Sequence, residues 1–185
     1  MKQEKLKIIK VMAKIIYKEG CEGQNRIECI EGIEIELLNR QKALTYPKYS
    51  KKVMLTDSDK ICNWDSPTET EIEALKREYA GYRTEQLVAL GSPAAMWVTQ
   101  FYADNYGVFA LPSLLAAMEI QDQKKDIDAL AETIAGADLL RDFVCYVWSC
   151  SKCSKDYCWI VDGKGGFADC DILCNQYLAV PTILY

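Results

Sequence analysis

The chain has 185 residues, half of them apolar, with a net charge of -5, nine cysteines and no histidine. That apolar content over this length supports a buried core and argues against intrinsic disorder. Without histidine there is no Ser-His or Cys-His dyad and no His-containing metal site, so catalysis would fall to carboxylates, lysine or bare thiolates. The acidic balance argues against a dedicated nucleic-acid binder, and no run of eighteen apolar residues is present to form a transmembrane helix.

Residues 1–18 carry six lysines and one glutamate. Lys7, Lys10, Lys14 and Lys18 share one helical stripe, with Ile8, Ile9, Met12, Ile15 and Ile16 opposite, which predicts a basic amphipathic helix. Such a helix suits an anionic membrane surface, or packing against the domain, a sister subunit or a larger assembly. The recurring lysines also break the apolar stretch a secretory signal needs, so the expectation is a cytoplasmic chain with reduced cysteines. Gly20 and Gly23 close the helix, and Gly32 to Leu37 alternates apolar and acidic residues as a half-buried strand does. Residues 1–50 thus read as an attachment or oligomerisation region, with homo-oligomer or virion contacts expected through residues 1–40, and residues 51–185 as the main domain.

Lys52 to Thr56 reads as a short strand, and Ser66 to Gly91 as helix with Ser66 or Thr68 as N-cap. Ser92-Pro93 starts a helix expected to run to Tyr106-Gly107. Pro112-Ser113 starts a third, and Asp126 to Ile134 forms a fourth, stopped by Gly136. Phe143 to Trp148 and Trp159 to Val161 read as buried strands, Gly163 to Gly166 as a tight turn, and Tyr177 to Tyr185 as an apolar terminal strand containing Pro181. Helices in the middle and short strands at both ends give an α+β fold.

Six of the nine cysteines lie between Cys145 and Cys174. Cys150-x2-Cys153 and Cys170-x3-Cys174 approach the spacing of a four-thiolate zinc site. The second pair is spaced wrongly for a zinc knuckle, and Cys145 and Cys158 are left over. A thiol-redox centre would need its Cys-x-x-Cys at a helix N-terminus; here it follows a strand. Zinc or thiol chemistry therefore stands as the alternative to a reading in which neither metal nor cofactor is bound.

The order of signals resembles a known family. Ser92-Pro93-Ala94-Ala95 and Leu111-Pro112-Ser113 are followed by an Ile-Asp-x-Leu helix ending in Gly136. Then come Val147-Trp148-Ser149-Cys150-Ser151, Cys158-Trp159-Ile160-Val161-Asp162-Gly163 and Leu178-Ala179-Val180-Pro181. Over roughly residues 50–185 this is similar to the bacterial and phage branch of the C-type lectin fold, of the formylglycine-generating-enzyme type. The implied fold has short central helices and a small, irregular antiparallel sheet. Within that branch the nearest likeness is to the variable proteins of diversity-generating retroelements, many of them phage tail proteins that bind a host receptor. In these, adenine rewriting yields NNC codons, a set that excludes Lys, Glu, Gln, Trp and Met. All eleven residues from Gly165 to Asn175 belong to the permitted set.

The resemblance implies recognition of a protein or cell-surface receptor rather than catalysis, through a variable region at about residues 148–176. Cys150, Cys153, Asp156, Cys158, Asp162, Phe167, Asp169, Cys170, Asp171, Ile172, Leu173, Cys174 and Asn175 would form the variable binding face. Trp148, Trp159, Val161, Val180 and Pro181 would form the scaffold beneath it. The cysteine surplus would then be sampled surface diversity. The motifs supply no calcium-binding carboxylate set and do not place the paired cysteines of a copper site. Virion association on a phage tail is the implied location, and a structural virion component without a variable ligand is a further alternative.

Overall fold

The computed structural model describes residues 13–50, 52–56, 67–76, 81–143 and 145–185. The chain is α+β, as expected, and its strand pairs are antiparallel. Lys14–Tyr17 is a strand, β1, and not the end of a helix; the rest of the expected basic helix lies outside the described residues. Lys14 and Ile15 pair with Glu34 and Ile33 of β2 (Ile30–Glu36), so sheet hydrogen bonds and a 3.1 Å ion pair from Lys14 to Glu34 override the helical spacing.

β2 turns into β3 (Lys42–Thr45), which pairs with β11 (Thr182–Leu184) near the C-terminus, giving the order β1-β2-β3-β11. Residues on both sides of residue 50 thus share one sheet and one apolar core. β2 is also not half-buried: its acids turn inward and find partners. Glu31 accepts hydrogen bonds from the Asp104 amide at 2.7 Å and from Asn105 Nδ2 at 3.2 Å, and Glu34 takes Lys14, Lys42 and the Tyr185 hydroxyl. Burial raises the Glu34 pKa, but the Tyr185 hydrogen bond and the two lysines outweigh it and hold the carboxyl below its ordinary value.

The central helices follow their caps. Thr70, not Ser66 or Thr68, caps α1 (Glu71–Leu75) in a reciprocal box with Glu73, while Ser66 itself lies outside the described residues. After α2 (Gly81–Ala89), Ser92 Oγ accepts from the Ala95 amide at 3.1 Å to start α3 (Pro93–Val98). This helix stops well before Tyr106. Residues 102–108 instead form the hairpin of β5 (Tyr102–Ala103) and β6 (Gly107–Val108), pinned from beneath by Glu31. Ser113 caps α4 (Leu114–Asp122), followed by α5 (Lys124–Ala131).

The second sheet is β7 (Val147–Lys152), β8 (Tyr157–Val161) and β9 (Ala168–Ile172) in order. It lies between two apolar clusters, and the two-residue period of its strands decides which residue meets which. Val147, Trp159 and Val161 face a core shared with α4, α5 and the four-stranded sheet, through Leu114, Ile120, Ile127, Ile30 and Ile33. Trp148, Cys150, Cys158 and Ile160 face the other, packed on Leu87, Ala94, Ala95, Val98 and Leu111. β4 (Val53–Met54) pairs with β10 (Gln176–Tyr177), and residues 178–181 separate β10 from β11, so the expected terminal strand is two pieces. No helix among the described residues is long and apolar enough to cross a membrane.

Candidate functional site

The five residues expected as scaffold are all withdrawn from solvent to some degree. Trp148, Val161, Val180 and Pro181 are buried and Trp159 is half-buried. Both indoles are also hydrogen-bonded: Trp148 Nε1 donates to the Val53 carbonyl at 2.8 Å, and Trp159 Nε1 to that of Glu69 at 2.9 Å. A buried indole with a satisfied N–H fixes ring position as well as filling space. Tyr177 adds a tilted ring contact with Trp148 at 4.8 Å.

The expected binding face is divided by the strand geometry. Residues 168–172 are β9, the edge of its sheet, so Asp169 and Asp171 point to one side while Ala168, Cys170 and Ile172 point to the other. Cys150, Cys158 and Leu173 are fully buried, which corrects their placement on the surface. The Cys158 thiol donates to the Ser151 carbonyl at 2.9 Å, and burial raises its pKa far above an ordinary thiol. It is an inert core group.

Cys153 and Cys170 form a disulfide with a Cα–Cα distance of 6.3 Å, tying the β7–β8 hairpin to the edge strand. The pairing corrects the expectation that these cysteines are reduced. With two of its four thiols paired to each other and Cys150 in the core, the proposed zinc set is not assembled. No cluster of metal-ligating side chains occurs among the described residues.

Three further members of the expected face shape it from within. Asp162 closes the Gly163–Gly166 turn, accepting from the Lys164 amide at 3.1 Å and the Gly165 amide at 3.2 Å. The turn needs its glycines: Gly166 has φ +68°, and a Cβ on Gly163 would lie 2.2 Å from the Cys145 carbonyl oxygen. Asp171 accepts from Asn175 Nδ2 at 3.0 Å, from the Ile172 amide at 2.7 Å and from the Tyr177 hydroxyl. Burial raises the Asp171 pKa, and these three donors more than reverse it. Asp171 and Asn175 therefore hold the β9–β10 turn.

What remains open to solvent is a ridge. Phe167 and Asp169 are exposed, Asp156 is half-buried on the β7–β8 hairpin, and Ile172 and Cys174 are half-buried. Tyr157, at 43 % exposure, joins them; the expected strand begins only at Trp159, so nothing in the sequence pattern placed it on the face.

Beside the ridge lies a cleft of about 640 Å³, lined by the Gly163–Phe167 turn, Leu38, Met118, Gln121 and Lys125 among others. Of these, only Phe167 and the turn are marked by sequence motifs; Leu38, Met118, Gln121 and Lys125 are not. Leu38 carries no local signal beyond its place after the β2 pattern. No family model, curated protein or solved structure matches the chain.

Proposed function

We propose that this protein is a non-catalytic recognition module of C-type lectin-like fold, diversified by a retroelement and displayed on a phage tail or similar assembly to bind a host receptor. The observation that carries the reading is the separation of roles in the C-terminal third. A disulfide-tied sheet between two apolar cores holds Trp148, Val161, Cys158 and Ile160 inside, while Phe167 and Asp169 stand outside on the turn and the edge strand, with half-buried Asp156 on the hairpin. An exposed aromatic among carboxylates on a rigid support suits an apolar anchor with a polar rim. The buried cysteines no longer support diversification; the exposed positions and the NNC-compatible run do.

The test is the DNA flanking the coding sequence. The reading expects a near-copy of the codons for about residues 148–180, beside a reverse transcriptase gene, differing at adenines. The differences should fall on the codons of Asp156, Phe167 and Asp169 and spare those of Cys150, Cys158 and Leu173. Absence of any such copy overturns diversification and leaves a fixed binding module.

A further inference from the structure

We infer that the cleft beside the ridge is a peptide-binding subsite that takes one large apolar side chain flanked by carboxylates. This deepens the recognition reading and rests on it only through Phe167, which borders both surfaces. Leu38, at the tip of the β2–β3 hairpin, and Phe167, after the β8–β9 turn, are the two most exposed large apolar side chains described, at 83 % and 74 %. They lie far apart in sequence, yet both line this one cleft, together with Met118 of α4. Exposed apolar groups that converge on a concave surface mark a place where a partner's side chain is desolvated.

The second observation is Gln121. It is only 9 % exposed, lines the same cleft, and its Oε1 has no hydrogen-bond partner among the described residues. A buried acceptor left unpaired costs about 1–3 kcal/mol, and native proteins rarely leave one without a reason. Its Oε1 is enclosed in the free protein, so on docking the Gln121 side chain turns into the cleft, where a main-chain N–H of the segment supplies the missing donor.

Charge selects the flanks. Lys124, Lys125 and Lys164 line the cleft, opposed by Asp122 and by Glu119, and Glu119 is 9 % exposed and already accepts from Gln123 Nε2 at 3.1 Å. Lys125 and Lys164 are exposed and have no ion-pair partner among the described residues. The rim is therefore basic, and it complements acidic neighbours of the apolar anchor.

The probe is the tripeptide acetyl-Glu-Phe-Glu-amide, titrated into the isotope-labelled full chain by NMR. The expected result is saturable shifts at the Gln121 side-chain amide and at the amides of Gly165 and Gly166. Affinity should fall about tenfold or more for acetyl-Glu-Ser-Glu-amide or for the variants Leu38→Ser and Phe167→Ser, the loss expected for one apolar anchor. It should fall about fivefold for acetyl-Gln-Phe-Gln-amide, for Lys125→Glu with Lys164→Glu, and for Gln121→Met, each checked for an unchanged thermal midpoint. Asp169→Lys on the ridge should not weaken binding. Equal affinity for the neutral tripeptide, shifts that map elsewhere, or no saturation by about 10 mM overturns the inference. Because none of these readouts depends on a flanking DNA copy, loss of the diversification reading and loss of this subsite are separate results.

Discussion

The disulfide between Cys153 and Cys170 ties the β7–β8 hairpin, which carries Asp156, to the edge strand, which carries Asp169. Replacing both cysteines by serine removes a cross-link between residues 17 apart in sequence. A loop of that length, left unconstrained in the unfolded chain, lowers stability by about 3 kcal/mol in the chain-entropy model. At roughly 2–4 °C per kcal/mol for a chain of this size, the thermal midpoint falls by roughly 6–12 °C. Both cysteines are half-buried, so the serines leave little cavity and the entropic effect dominates. The assay is thermal unfolding of the oxidised wild type, the wild type in reductant, and Cys153→Ser/Cys170→Ser. Reductant should bring the wild type to the midpoint of the variant. Thiol titration in denaturant should show two more thiols after reduction. A variant within about 1 °C of the oxidised wild type, or no gain of two thiols, refutes the reasoning.

Other outcomes follow from burial and charge. Under native conditions an alkylating reagent modifies half-buried Cys174 and leaves Cys150 and Cys158 unmodified until the chain unfolds, as peptide mass mapping would show. Trp148→Ala lowers stability by about 3–5 kcal/mol in denaturant unfolding, because it empties the centre of a core and removes the donor to the Val53 carbonyl. Glu34 is held below its ordinary pKa in the folded state, so its contribution is complete above the unfolded value and disappears as pH falls through the folded one. Glu34→Gln should therefore destabilise the protein at neutral pH and reduce the acid dependence of its thermal midpoint, whereas an unchanged acid limb would contradict that assignment.

Local chemistry in the sequence was enough to locate several elements. Ser92-Pro93 and Ser113 start the helices they announce, since a cap needs only residues within one turn. Trp148, Trp159, Val161, Val180 and Pro181, the scaffold that the resemblance implies, are buried or half-buried, as large apolar side chains usually are. The failures share a physical cause, which is partners distant in the chain. Lys14 becomes strand because Glu34 and the β2 backbone are beside it. The α3 helix yields to a hairpin because Glu31, over seventy residues earlier, accepts from Asp104 and Asn105. Nothing local distinguishes the buried thiols of Cys150 and Cys158 from the paired ones of Cys153 and Cys170; that difference arises from sheet register between strands. Leu38 and Gln121 gain meaning only when the hairpin, α4 and the Gly163–Phe167 turn meet.

The proposed recognition surface should be carried by a fold that does not depend on it. The most direct measurement is a substitution library of the full chain, scored for protease resistance, at the surface positions Asp156, Phe167 and Asp169 and at the core positions Trp148, Cys150, Cys158 and Leu173. Surface substitutions should stay within about 0.5 kcal/mol of wild type, while polar or bulky replacements in the core should cost about 2 kcal/mol or more. Surface positions as intolerant as the core ones would contradict the account.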